Sequence, residues 1–289
     1  FVGQPFTFSF EQVGTNCGLF GKNACMEVDG SAYWMSENGF FTYDGQLQSM
    51  PCLVEDYVYD SVNDTSRDLI NCGLNNLFGE INWFYPSESS DEVDRVVTYN
   101  YLDSSAKQPI WTTGTLARTA WQDSAVFNKP HATYYGSTDD ASFDVTGNTQ
   151  GSTIYYSQET GTDEVNAGNI SVAIPAFILS GDFDITQRRS NTGQVVGTPD
   201  LRGDGEYMMR VSRFIPDFIT QTGSTTVSLI SRAYPNSTPT TKDFVIDSSK
   251  TFQSTRIRAR SVALKISNTA INQDWKLGTF RLDIAPGGM

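Results

Sequence analysis

Paired carboxylates are the residues of this chain best placed by type and spacing to do chemistry: Glu55 with Asp56, Asp91 with Glu92, Asp139 with Asp140, and Asp182 with Asp184. Two carboxyls at a suitable separation are enough for glycoside cleavage, one as acid and the other as base or nucleophile. Adjacency in sequence does not set that separation, and most of these acids lie among Ser and Gly, where turn chemistry accounts for them. A single histidine, His131, rules out a metal site built from several imidazoles and leaves one candidate base for a Ser-His-Asp triad. No Gly-x-Ser-x-Gly elbow accompanies it, and His131 follows Pro130 at the start of a strand-like run, so a structural place is expected. Cys17, Cys25, Cys52 and Cys72 form no C-x-x-C pair, which speaks against zinc. Each lies in or beside an apolar run, so buried reduced thiols are expected, a disulfide being the alternative.

Other motifs are weaker. The run 139–144 lacks the Asp-x-Asn-x-Asp-Gly pattern and closing Glu of a calcium loop, and Arg202-Gly203-Asp204 reads as an ordinary turn. Sequons occur at Asn63, Asn169 and Asn236. There is no phosphate loop or dinucleotide fingerprint. No catalytic residue, cofactor site or metal site is expected.

The elements that must hold these residues are strands. Charged residues are 18%, aromatics 12%, and alternation recurs where a helical apolar stripe does not. Strands are predicted over 26–28, 31–35, 40–43, 54–59, 81–85, 95–101, 111–116 and 132–135, with one short helix over 63–69 capped by Asn63. Asp29-Gly30, Asn38-Gly39 and Asp44-Gly45 are hairpin signals. Longer strands are predicted over 169–179, 206–220, 225–233, 244–246, 256–267 and 276–284, with a polar excursion over 187–204. The 256–267 run alternates Arg256, Arg258 and Arg260 with apolar residues and reads as one strand with a wet, cationic, subunit-facing side.

A strand pair repeats. Tyr33-Trp34 then Phe40-Phe41-Thr42-Tyr43 is matched by Trp83-Phe84-Tyr85 then Val96-Val97-Thr98-Tyr99, and more faintly by Ile154-Tyr155-Tyr156. Tyr43, Tyr99 and Tyr156 lie 56 and 57 residues apart. Such a period with several short strands per unit predicts an all-β fold of β-propeller-type blades, four-stranded antiparallel sheets stacked radially, followed by a set of longer antiparallel strands. Domains are expected over 1–165 and 166–289. Trp34, Trp83, Trp111 and Trp121 fall at blade-like positions and read as inter-blade packing rather than a sugar platform; Trp34, Trp83, Tyr43 and Tyr99 are expected to be largely buried.

The formal charge of −13 repels nucleic acid and leaves no basic footprint for specific binding, which suits a protein that DNA merely slides past. No apolar run near 18 residues, basic-then-apolar leader or lipidation motif is visible, so no membrane span is expected. The sequence begins at Phe1 inside an alternating run, and upstream blades are expected beyond it.

The run 80–87 (Glu-Ile-Asn-Trp-Phe-Tyr-Pro-Ser), the run 94–101 (Asp-Arg-Val-Val-Thr-Tyr-Asn-Tyr), the run 111–123 from Trp111 to Asp123, Ser180-Gly181-Asp182-Phe183-Asp184-Ile185, Arg213-Phe214-Ile215-Pro216-Asp217-Phe218 and the closing run 275–284 resemble the β-propeller tail hub or nozzle proteins of short-tailed bacteriophages, relatives of the packaged-DNA stabilisation proteins. The resemblance spans Ala24 to the C-terminus; the 187–204 insertion departs from it. It implies a non-enzymatic virion protein, assembled in the host cytoplasm into a ring, most often a homohexamer, below portal and adaptor proteins and in contact with tail fibre or needle proteins. The genome would pass through without sequence-specific binding. Arg256, Arg258 and Arg260 are the candidate subunit interface. The alternatives are a glycan-binding or glycoside-cleaving propeller of a tail, and a secreted propeller with disulfides.

Overall fold

The computed structural model describes residues 11–105, 108–136, 152–157, 162–165, 171–185, 207–234 and 236–287. The Asp139 and Asp140 pair, the 187–204 insertion, Asn169 and Arg202-Gly203-Asp204 lie outside them. Among the described residues the fold is all-β, with 56% strand and 5% helix in antiparallel sheets of two to four strands, none of which closes. The chain divides into two compact units, Phe1–Thr160 and Gly161–Met289.

The first unit holds three successive meanders. β1 (Cys25–Val28), β2 (Ser31–Ser36), β3 (Gly39–Tyr43) and β4 (Leu47–Met50) form the first, in that order. Its opening turn, Asp29-Gly30, has positive φ at both residues (51° and 81°), the two-residue type I′ geometry whose twist matches the strands it joins. β5 (Asn71–Asn75), β6 (Glu80–Tyr85), β7 (Arg95–Asn100) and β8 (Trp111–Thr115) form the second. β9 (Ala120–Gln122), β10 (His131–Gly136) and β11 (Ser152–Ser157) form the third, with three strands.

The sequence period is reproduced as register. Tyr43 pairs with Ala32, Tyr99 with Ile81 and Tyr156 with Ala132, in each case the second residue of the preceding strand. Cys25 faces Trp34 as Cys72 faces Trp83. Successive meanders meet through their first strands: β1 neighbours β5, and β5 neighbours β9. Asn23 and Asn71 form a parallel bridge, and Asn71 Nδ2 donates to Arg118 O just before β9 at 3.0 Å.

The 54–59 stretch is not the predicted strand: it is the helix α1 (Glu55–Tyr59). As a strand it would place Asp56 on the same face as Val54 and Val58. One helical turn instead brings Val58 over Val54, buries Val58, and leaves Asp56 exposed in the first turn, where free N–H groups favour a carboxylate. The helix predicted over 63–69 is a 3₁₀ helix, Asp64–Leu69, and Asn63 caps it through Oδ1, which accepts from Thr65 N at 3.0 Å.

In the second unit β12 (Asp163–Val165) pairs with β13 (Ser171–Ala173). The remaining strands are β14 (Ala176–Leu179), β15 (Met209–Thr222), β16 (Ser224–Arg232), β17 (Thr240–Asp247), β18 (Gln253–Ala259), β19 (Ser261–Asn268) and β20 (Asp274–Pro286). They make a four-stranded sheet, β14-β19-β16-β17, and a three-stranded one, β18-β15-β20. Both contribute to one core: Met209, Val211, Phe214 and Ile257 from the second, Val227, Leu229, Ile246, Val262 and Ile266 from the first.

Two predicted strands are each split. The 169–179 run breaks at Pro175, which has no N–H to give a ladder, into β13 and β14. The 256–267 run is not one strand but β18 and β19, in different sheets. Thr255, Ile257 and Ala259 are buried in strict alternation, but beyond Arg260 the buried residues are Val262, Ala263 and Ile266; the chain turns a corner at Arg260, whose N–H donates to Arg232 O at 3.0 Å, and passes to the other sheet.

Candidate functional site

The structure disperses the carboxylate pairs. Glu55 and Asp56 lie in the first turn of α1, and Asp91 and Glu92 in the turn between β6 and β7. Asp182 is engaged by Arg232 Nε at 2.9 Å and by Ser261 Oγ at 3.2 Å. Among the described residues no group of three or more His, Cys, Asp and Glu side chains is placed to hold a metal ion. Among the described residues no helix is long and apolar enough to cross a membrane. His131 packs between the rings of Phe127 (4.5 Å) and Tyr155 (5.3 Å). All four cysteines are free thiols, but they are not the buried ones expected: Cys25 is exposed as a residue and Cys17, Cys52 and Cys72 are half-buried. Burial pushes Cys52 up to about 12 and raises Cys25 and Cys72 as well, which keeps these three protonated and poor nucleophiles at neutral pH.

The tryptophans join one meander to the next. Ile81, Trp83 and Tyr85 of β6 turn toward the first meander, where Trp83 is fully buried and donates Nε1–H to Ala24 O at 3.0 Å. Trp111 donates to Pro51 O at 2.8 Å, and Phe40 packs on both indoles, with centroids 5.1 and 4.6 Å away. Tyr99 joins this core from its edge. Trp34, Tyr43 and Tyr99 are only half-buried, contrary to expectation: Trp34 stacks on Phe41 of its own sheet and donates to Cys17 O.

The opposite face of β6 carries Glu80, Asn82 and Phe84 and looks toward the third meander. Trp121 of β9 lies over it, stacked on Phe84 at 5.6 Å and donating Nε1–H to Leu74 O at 2.7 Å. Gly73 permits this, since a Cβ there would stand 2.4 Å from the indole. Phe84, Val93, Val96, Leu116 and Trp121 fill one end of the gap with apolar atoms. Beside them a cleft of about 290 Å³ stays open, lined by Asn75 of β5, Glu80 and Asn82 of β6 and Thr98 of β7 and by the apolar Leu77, Phe78, Val96, Leu116, Trp121 and Pro130.

Sheet register brings the polar groups together, because Asn75 pairs with Glu80 and Asn82 with Thr98. Thr98 Oγ1 donates to Asn82 Oδ1 at 2.6 Å, and Asn75 Nδ2 donates to Glu80 Oε2 at 3.3 Å. Burial raises the Glu80 carboxyl above its ordinary range, opposed by the Asn75 hydrogen bond. Asn75 Oδ1 is buried without a hydrogen-bond partner. Glu80 is the one carboxylate among the described lining residues, so the cleft offers hydrogen bonds and apolar contact without an acid and base pair. Sequence reasoning missed Asn75, Phe78, Glu80 and Thr98 as a group: their alternation marks one face of a sheet, and nothing in it signals that another sheet half-covers that face.

The arginines separate. Arg256 and Arg258 are exposed on the outer face of β18, and Arg258 stands directly across from Arg210 of β15. Arg258 Nη2 donates to Gly287 O at 2.8 Å. On the same sheet Arg213 pairs with Asp283 at 2.6 Å and Arg281 with Asp217 at 3.4 Å. Arg260 is not part of that face; it sits at the corner with its guanidinium over the Tyr234 ring at 5.6 Å. At the edge of the four-stranded sheet, β14 is exposed along its whole length, Phe177 to 60%.

No family model matches the chain, and no curated protein matches it significantly.

Proposed function

We propose that this chain is a structural subunit of a short-tailed phage tail, one copy in a ring that forms part of the hub or nozzle through which the genome is held and then passed. The observation that carries the reading is the cationic face of the β18-β15-β20 sheet. Arg210 and Arg258 are cross-strand neighbours of like charge, which is unfavourable in isolation, and Arg256 lies two residues along the same face. On a chain of net charge −13, such a face is matched by an acidic flank of a second copy. The exposed edge strand β14 supports the same reading, because an apolar edge strand with no outer partner among the described residues is a template for association. The meanders of the first unit, side by side through parallel first strands, are the arrangement that propeller blades use, and we read them as blades.

In this reading the protein performs no catalysis. Portal or adaptor proteins and fibre or needle proteins are its neighbours, and DNA slides past a wall that is acidic on balance. A glycan-cleaving propeller is the less favoured alternative, since the cleft presents Glu80 without a second carboxylate among its described lining residues. Light scattering and negative-stain imaging of the purified protein test the proposal: closed rings are expected, hexamers on the resemblance. A protein that stays monomeric at every concentration would overturn it.

A further inference from the structure

We propose that the cleft between the second and third meanders is a binding site for a neutral saccharide unit. Two gaps flank the second meander, and they are filled differently. On the first-meander side, Phe40, Trp83 and Trp111 close the space with aromatic rings and both indole N–H groups are paired, Tyr85 Oη being the one buried polar atom of β6 left unpaired there. On the third-meander side the same strand β6 presents Glu80 and Asn82, and a cleft stays open beside Phe84 and Trp121. A gap serving packing alone would be filled with apolar groups, because half-buried polar groups cost free energy unless they are paired. Here Asn75 Oδ1 is buried and unpaired, and the Thr98 to Asn82 bond uses the Asn82 oxygen, leaving the amide N–H groups to donate.

The lining selects the ligand. The Glu80 carboxyl suits hydroxyl donors, and the Asn82 amide suits a hydroxyl oxygen. Leu77 and Phe78, both about half exposed at the lip, offer an apolar surface for the C–H face of a sugar ring. No Lys or Arg is among the described lining residues, so none of them would hold a phosphate or carboxylate on this acidic chain. A volume of about 290 Å³ lies at the small end of ligand pockets, which fits one or two sugar rings. With a single carboxylate, the site binds and does not cleave. The inference is independent of ring formation.

The test is calorimetric and saturation-transfer NMR titration of the intact chain with the methyl glycosides of glucose, galactose and mannose, with N-acetylglucosamine, and with maltose and lactose. Saturable binding of at least one is expected, with a dissociation constant on the order of 1 mM or below. Phe78→Ala is expected to weaken it about tenfold with an unchanged melting temperature, and Glu80→Gln several-fold with the fold intact. Binding to none of the six, binding that survives both substitutions, or binding of choline or putrescine in place of the sugars would each overturn the assignment.

Discussion

Trp83 and Trp34 occupy equivalent places across from Cys72 and Cys25, yet only Trp83 is fully buried, against the aromatic residues of the preceding meander. Trp83→Ala is expected to destabilise the first unit by roughly 3–5 kcal/mol, with Trp34→Ala costing clearly less, in denaturant unfolding of the two variants side by side. Glu80 makes a pH-dependent contribution. Because burial raises its carboxyl pKa, the folded chain keeps that proton to a higher pH than the unfolded chain does. Between the unfolded and folded pKa values the native state binds more protons, so this group's contribution is fully present below the unfolded value and is lost as pH rises through the folded one. Glu80→Gln should therefore raise the melting temperature at about pH 7 and leave it near wild type at about pH 3.5, where both carboxyls are protonated. An equal effect at both pH values would show that shape rather than charge is responsible.

At the level of elements, much of the first unit was legible because strand alternation and Gly turns are local signals: β2, β3, β6 and β7 lie within a residue or so of their predicted bounds, and the tyrosine spacing reappears as one register in three sheets. The failures were tertiary. Alternation at 54–59 looked like a strand until burial had to choose between Asp56 and a turn of helix, and Arg256 to Ile266 looked continuous because nothing local marks a strand that changes sheets. The cleft was illegible for the same reason, since half-covering of the Glu80 and Asn82 face depends on where β9 packs. Asn63 illustrates a local signal that tertiary contact strengthens. Its Oδ1 caps the 3₁₀ helix while its Nδ2 donates to Ser90 O at 2.9 Å, so Asn63→Ala should cost at least the ~1 kcal/mol of an ordinary cap, measured by thermal unfolding.

For the whole molecule, the deciding quantity is how charge and apolar surface are distributed between copies. The edge strand β14 and the arginine face of β18 lie on different sheets of the second unit, so they make separable contributions to association. Phe177→Lys puts a charge on the edge, the device by which natural edge strands avoid pairing, and should reduce self-association at all salt concentrations. Arg258→Glu acts on the other term. It places a carboxylate across from Arg210, which relieves the like-charge pair within the subunit while opposing an acidic flank on the next one. The variant should thus fold at least as well as wild type yet assemble less. Wild-type association should weaken as salt rises over the range where the Debye length falls from about 10 to about 3 Å, and the variant should show a shallower dependence. Sedimentation measured across a salt series reads both quantities. If the isolated chain instead bound duplex DNA tightly with a steep salt slope, the arginines would be a grip on phosphate rather than on a neighbouring subunit, and the conduit reading would fail.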